Sequence, residues 1–214
     1  MVKAVKKSEG KATSARTEKT RRTILEAAIR LFSVKGYRST SVADIAAEAG
    51  VAKSAVFWHF DSKDGLLKMV VDELISTNIT EMIKAAVNEE IKDEADMLDK
   101  VLEYFKNKLN DYPELNRAYY LLMVETAHEN DEAHKPFVQS LDAYQKFLNI
   151  SIENGRKKGI FRNDFSTQDL SLLFEMLTMG AYCFWYRQPS VDTTELYRIV
   201  KNVLNIVLFA RSEQ

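Results

Sequence analysis

From Thr20 onward, apolar and polar positions recur with the period of a helix. Ile24, Leu25, Ala28, Ile29 and Phe32 fall at i, i+1, i+4, i+5 and i+8, on one face of a helix that opens near Thr20. Gly36 stands where a left-handed cap would end that helix. Ser41-Val-Ala-Asp44 is a capping-box variant: the Ser41 hydroxyl accepts from an orphan backbone N–H while Asp44 reaches back. Behind it Val42, Ile45, Ala46 and Ala49 make a short apolar stripe, Gly50-Val51 breaks the helix, and a third short helix spans 53–60. Asp61-Ser62-Lys63-Asp64 is the next break and cap, opening a long helix that runs to Glu90. Further helices are predicted over 94–110, 114–129, 134–158, 167–187 and 192–211, punctuated by Pro113, Pro136, the Gly155/Gly159 pair and Pro189. No period-two alternation bounded by turn residues occurs, so the predicted fold is all-α with about nine helices. Met1 to Lys19, rich in Lys, Ser, Thr, Ala and Glu and nearly free of apolar residues, reads as a flexible arm.

Composition narrows the class. A chain of 214 residues with 46% hydrophobic positions can bury the core of one large or two small domains. Cys183 is the single cysteine, so no internal disulfide forms and a reducing cytoplasm is the expected location. No apolar run reaches the roughly 18 residues that a membrane span requires, and no apolar stretch follows the basic N-terminus as in a secretory signal. Net charge is −1, but residues 1–60 carry 12 Lys/Arg against 5 Asp/Glu, while the remainder carries 18 against 26. A basic head on an acidic body points to a polyanion partner for the head, although eight of those basic residues lie in the first 22 and also fit a solvated tail.

Residues 41–60 hold a short capped helix, a glycine turn and a second short helix, the spacing of a helix–turn–helix. Ala46 and Ala47 are small enough for the two helices to cross closely. In order, Thr20-Arg-Arg-Thr-Ile-Leu-Glu-Ala-Ala-Ile-Arg-Leu-Phe32, Gly36-Tyr37, Thr40-Ser-Val-Ala-Asp-Ile-Ala46, Ala49-Gly-Val51, Phe57-Trp-His-Phe60 and Ser62-Lys63 closely resemble the DNA-binding domain of the TetR (tetracycline repressor) family of bacterial regulators. The resemblance covers about residues 20–67; beyond it only helix number and length match. It implies a homodimeric repressor of a near-palindromic double-stranded operator, released when a small molecule enters the C-terminal domain. Mapped onto this chain, Lys53, Ser54, Ala55 and Phe57 face bases, and Thr40, Ser41, His59 and Lys63 face phosphates. Two positions depart from the family: Phe57 replaces a tyrosine that commonly bonds a phosphate, and Ala52 replaces a serine that often caps the reading helix. Core packing is the alternative for Phe57, Trp58 and Phe60.

The resulting organisation is an arm at 1–19, a helix–turn–helix domain at 20–66 and a helical effector-binding and dimerisation domain at 67–214. The last two predicted helices are apolar around nearly their whole circumference, so both need burial on all sides, which a second copy supplies. Phe174, Trp185, Leu196, Val200, Val203 and Val207 are the expected dimer residues. Aromatic and methionine residues crowd the body, and Tyr120, Met123, Phe147, Met176, Met179 and Tyr182 are candidates to line a pocket for an apolar or amphipathic effector, with ordinary core as the competing assignment. His59, His128, His134 and Cys183 have no metal-ligand spacing, and no phosphate loop or nucleophile motif occurs, so no metal, cofactor or enzymatic activity is expected. Glu125, Glu129 and Glu132 around His128 read as a solvated helix end. The alternatives are a small-molecule binding protein or enzyme with a vestigial helix–turn–helix, and an effector-independent DNA binder.

Overall fold

The computed structural model describes residues 2–88, 91–127 and 131–209, with side chains from Ala15 except at 87, 88 and 131. Among the described residues it is all-helical: α1 (Val2–Lys35), α2 (Val42–Glu48), α3 (Lys53–Phe60), α4 (Lys63–Ile75), a π-helical turn (Ser76–Thr80), α5 (Glu81–Asn88), α6 (Glu94–Asp111), α7 (Pro113–Thr126), α8 (Asp131–Lys157), α9 (Thr167–Arg187) and α10 (Thr193–Leu208). None of the described helices is long and apolar enough to cross a membrane.

The chain forms two compact units. The first comprises Met1–Leu74 and Arg117–His134; the second comprises Ile75–Asn116 and Lys135–Gln214. This corrects the expected division at residue 66, because α4 as far as Leu74 and most of α7 group with the head. The physical reason lies in burial: Leu66, Leu67, Val70, Val71 and Leu74 of α4 are all inaccessible to solvent. Each such side chain stabilises the fold by about 1.5–3 kcal/mol.

The first unit follows the predicted face closely. Ile24, Leu25, Ala28, Ile29 and Phe32 are all buried, Gly36 takes a left-handed backbone at φ 76°, and Ser41 and Asp44 form the reciprocal capping box. The helix does not open at Thr20, however; α1 runs from Val2. Its N-terminal half is composed largely of Ala, Lys, Glu and Arg, good helix formers that give no apolar periodicity to read. Gly65 is required where α4 follows α3, because a Cβ there would collide with the Phe60 carbonyl.

The second unit is built on α6, α8, α9 and α10 around Leu98, Val101, Leu102, Tyr144, Leu148, Ile152, Phe174 and Leu204. The predicted long helix over 63–90 is helical as far as Asn88 but contains the π turn at Ser76–Thr80; Glu89 and Glu90 lie outside the described residues. A π turn misaligns the carbonyl ladder, and the Tyr104 hydroxyl donates to the Thr77 carbonyl at 2.5 Å. Pro136, expected to mark a boundary, lies inside α8.

Gly65→Ala is expected to destabilise the protein by about 2 kcal/mol, because the obstacle is backbone rather than a movable side chain. The melting temperature should fall by roughly 5 °C in a calorimetric scan.

Candidate nucleic-acid interface and effector cavity

The helix–turn–helix is held from beneath. Val56 and Phe60 of α3 are buried, as are Ile45 and Ala46 of α2, while Lys53, Ser54, Phe57 and Trp58 are exposed. Positions 53, 54, 57 and 58 share one helical face, so the outward surface of α3 is one cation, one hydroxyl and two aromatic rings. Ala55 is half-buried. Trp58 is 70% exposed and is not a core residue, whereas Phe60 is. The Lys53 ammonium lies 5.8 Å from the Phe57 ring centre, a loose cation–π contact that keeps both groups on the outer face. Ala52 occupies the N-cap of α3 and supplies no side-chain bond to the helix.

The four expected phosphate contacts separate. Ser41 is exposed, but its hydroxyl both accepts from the Asp44 N–H and donates to the Asp44 carboxylate. Thr40 is 1% exposed and donates to the Gly36 carbonyl at 2.7 Å, tying the turn together from inside. His59 is half-buried; desolvation, assisted by the positive Arg21 nearby, holds its imidazole below the ordinary histidine value. Lys63 stands 4.0 Å from the Tyr37 ring centre, and its desolvation lowers its pKa against the opposing pull of Asp64 and Glu125. Burial and the Asp64 carboxylate push the Tyr37 hydroxyl well above the usual phenol range, so it remains a donor, bonding Asp64 Oδ1 at 2.5 Å.

Sequence reasoning missed Glu125. It is not a solvated helix end: Glu125 Oε2 accepts the Tyr37 N–H at 2.7 Å, and its carboxylate fills the space that a Cβ on Gly36 would need. The partner lies 88 residues away in the chain, so no local pattern could have disclosed it. His128 and Glu129 lie outside the described residues.

The second unit contains a cavity of about 340 Å³ between α6, α9 and α10, lined by Leu98, Leu102, Phe174, Leu204 and Leu208 with the Lys201–Asp99 ion pair, 2.6 Å long, at its wall. A smaller apolar pocket beside it is lined by Leu102, Phe105, Leu109, Tyr182, Leu196 and Val200. Tyr182 is the expected pocket residue found there. Its buried hydroxyl donates to Asn116 Oδ1 and lies 3.4 Å from Asn78 Oδ1, while Asn116 Nδ2 donates to the Lys108 carbonyl. The other candidates do not converge. Tyr120 and Met123 belong to the first unit, Phe147 lines a separate surface pocket, and Met179 is half-buried on α9. Met176, 62% exposed, faces outward and is not a cavity residue.

The expected dimer residues also divide. Phe174, Trp185 and Val200 are buried within the single chain; Leu196, Val203 and Val207 are half-buried. The exposed apolar side chains on these helices are Leu172, Met176 and Phe184 of α9 with Ile199 and Ile206 of α10.

A capped helix, a glycine turn and an outward-faced second helix make a helix–turn–helix DNA-binding module, followed by an all-helical unit with an apolar cavity. Residues 24–70 match the model of the bacterial regulatory proteins of the tetR family. The chain is 35% identical over 97 residues to the HTH-type transcriptional regulator TtgR of Pseudomonas putida, a match spanning 45% of this chain and under half, 46%, of that protein. It is 28% identical over 207 residues to the HTH-type transcriptional repressor KstR2 of Rhodococcus jostii, covering 86% of this chain and 87% of the relative. Its fold is similar to that of a TetR-family transcriptional regulator from Agrobacterium tumefaciens, with a TM-score of 0.77 at 19% identity over 90% of this chain and 99% of the other. The match to the tetR family is thus carried by residues 24–70, and the chain as a whole shares the fold of a TetR-family regulator.

Ala52→Ser is expected to raise stability by about 1 kcal/mol by giving α3 the cap it lacks. Urea denaturation checks this, and an unchanged midpoint would mean that the α3 N-terminus is already satisfied.

Proposed function

We propose that the protein is a homodimeric transcriptional repressor that binds a near-palindromic operator through α3 and is released by an apolar or amphipathic small molecule. The observation that carries this reading is the outward face of α3, with Lys53, Ser54 and Phe57 presented by a helix whose opposite side is buried. Lys53 and Ser54 stand at its N-terminal end and reach base edges, while Phe57 offers a ring to a thymine methyl. Ser41, His59 and Lys63 set register through phosphates. The basic head draws the duplex in and makes affinity salt-dependent.

The exposed apolar face of α9 and α10 fits a second copy. Leu172, Met176 and Phe184 are an unusual set to leave in water, and a twofold contact covers them on both subunits at once. Support for the effector comes from the 340 Å³ cavity, which lies in the range of small-molecule sites. An effector acts by binding better to the conformation whose two reading helices are not spaced one DNA turn apart, about 34–36 Å.

Selection from random duplex DNA, followed by affinity measurements on the winning sequence at several salt concentrations, tests the reading. A palindrome bound far more tightly than random DNA supports it; enrichment of nothing removes it. On that operator, affinity is expected to strengthen as pH falls through the range below the ordinary histidine value. The free imidazole is held neutral by desolvation and a nearby phosphate favours its charged form, so binding takes up a proton. His59→Gln should flatten that pH dependence in fluorescence anisotropy titrations. Met176→Glu is expected to convert the dimer to monomer in light scattering, weakening operator affinity while leaving the helical content unchanged.

A further inference from the structure

Phe147, which the sequence offers for an effector pocket, lines a separate pocket of the second unit that the proposed function leaves unused. Its volume is about 320 Å³, and its walls are not those of the 340 Å³ cavity. The start of α6 supplies Glu94 and Met97, the C-terminal half of α8 supplies Phe147 and Ile150, and Lys158 stands just beyond that helix. The pocket is therefore apolar along α8 and charged at one end.

Glu94 is the charged group that this arrangement leaves half satisfied. It is 8% exposed, and its Oε1 pairs with the Lys158 ammonium at 2.7 Å. Its Oε2 is cut off from solvent and has no hydrogen-bond partner among the described residues. Capping does not account for it, since the Asp93 side chain caps α6. The neighbouring donors are committed elsewhere. The Asp96 N–H goes to the Asp93 carboxylate at 2.9 Å, the Met97 N–H to the Asp93 carbonyl at 3.1 Å, and the Ser151 hydroxyl to the Phe147 carbonyl at 2.7 Å. A buried carboxylate oxygen without a donor is costly, more so than a neutral acceptor. Asp93 and Asp96 add two further carboxylates in the same turn, against Lys92 and Lys158, so charge at this end favours a cation.

We propose that this pocket binds a primary ammonium carried on a short apolar body, with Glu94 Oε2 accepting from the ammonium and Met97, Phe147 and Ile150 covering the body. An ammonium presents three N–H donors on a compact charge, and charge-assisted bonds to carboxylates are the strong class. The terminal torsion of a glutamate is soft, so Oε2 turns toward a seated donor while α6 stays in place. A carboxylate ligand meets net negative charge, and an alcohol supplies a donor without the charge. The site lies wholly within the second unit and asks nothing of DNA binding.

The probe is n-octylamine, titrated into the full chain at neutral pH in a calorimeter, with n-octanol and n-octanoate as matched bodies. Wild type should bind octylamine saturably and about tenfold or more tightly than octanol, with octanoate weaker than either. Glu94→Gln keeps the size of the side chain but lacks the charge. It should bring octylamine down to the octanol level, the usual consequence of losing a hydrogen bond to a charged group. Ile150→Trp, at an exposed position, fills the pocket without touching the carboxylate and should abolish octylamine binding. Where Glu94→Gln does not fold, that second variant decides. The proposal is overturned if octylamine binds wild type no more tightly than octanol does, or if Glu94→Gln keeps the preference. It is equally overturned if Ile150→Trp binds octylamine as wild type does, which would seat the amine in the other cavity.

Discussion

An eight-residue helix is not stable alone in water, and α3 also lacks a side-chain cap at its N-terminus. The head therefore depends on the burial of Val56 and Phe60, which leave α3 one apolar anchor per turn on its inner side. The outer side is then free to be anything, and here it is Lys53, Ser54, Phe57 and Trp58. Gly65 serves the same constraint, since only a missing Cβ lets α4 start so close to the carbonyl that ends α3. A reading surface needs a rigid back, and this chain supplies it with two side chains and one absent one.

Much of the head was legible because its determinants are local. The apolar face from Ile24 to Phe32, the left-handed Gly36, the Ser41–Asp44 box and the missing cap at Ala52 each depend on residues within one or two turns of one another. What escaped the sequence was long-range. The family resemblance implied a phosphate contact for Thr40, but the turn folds its hydroxyl inward onto Gly36. Glu125 looked like part of an acidic helix end because its partner lies 88 residues away. For α9, composition showed that the helix is apolar all round but not which part of the circumference the chain itself covers. Phe174 and Trp185 face inward, whereas Leu172, Met176 and Phe184 do not. Periodicity cannot orient a helix that has no polar face.

The second unit carries a polar seam inside its apolar core. The π turn at Ser76–Thr80 leaves a carbonyl for Tyr104, and Asn78, Tyr182 and Asn116 form a chain of side-chain oxygens and amides with almost no water contact. Such a seam contributes little net stability beside hydrophobic packing, but an arrangement in which it is half-made is costly. It therefore favours a small number of discrete packings over a continuous range. The seam sits beside the apolar pocket in which Tyr182 is a wall.

Charge adds a constraint that packing does not. The first 60 residues carry an excess of seven positive charges and the rest an excess of eight negative ones. On the proposed reading, the basic segment would be attracted to a duplex and the acidic remainder repelled by it. Salt would weaken both the attraction and the repulsion, so affinity should fall as ionic strength rises. Selectivity among duplex sequences would then come from the few outward groups on α3, and two of the four are aromatic rings. On the proposed reading, such a surface would read methyl groups and groove shape more than donors and acceptors, which would favour an A·T-containing half-site around one or two positions fixed by Lys53 and Ser54.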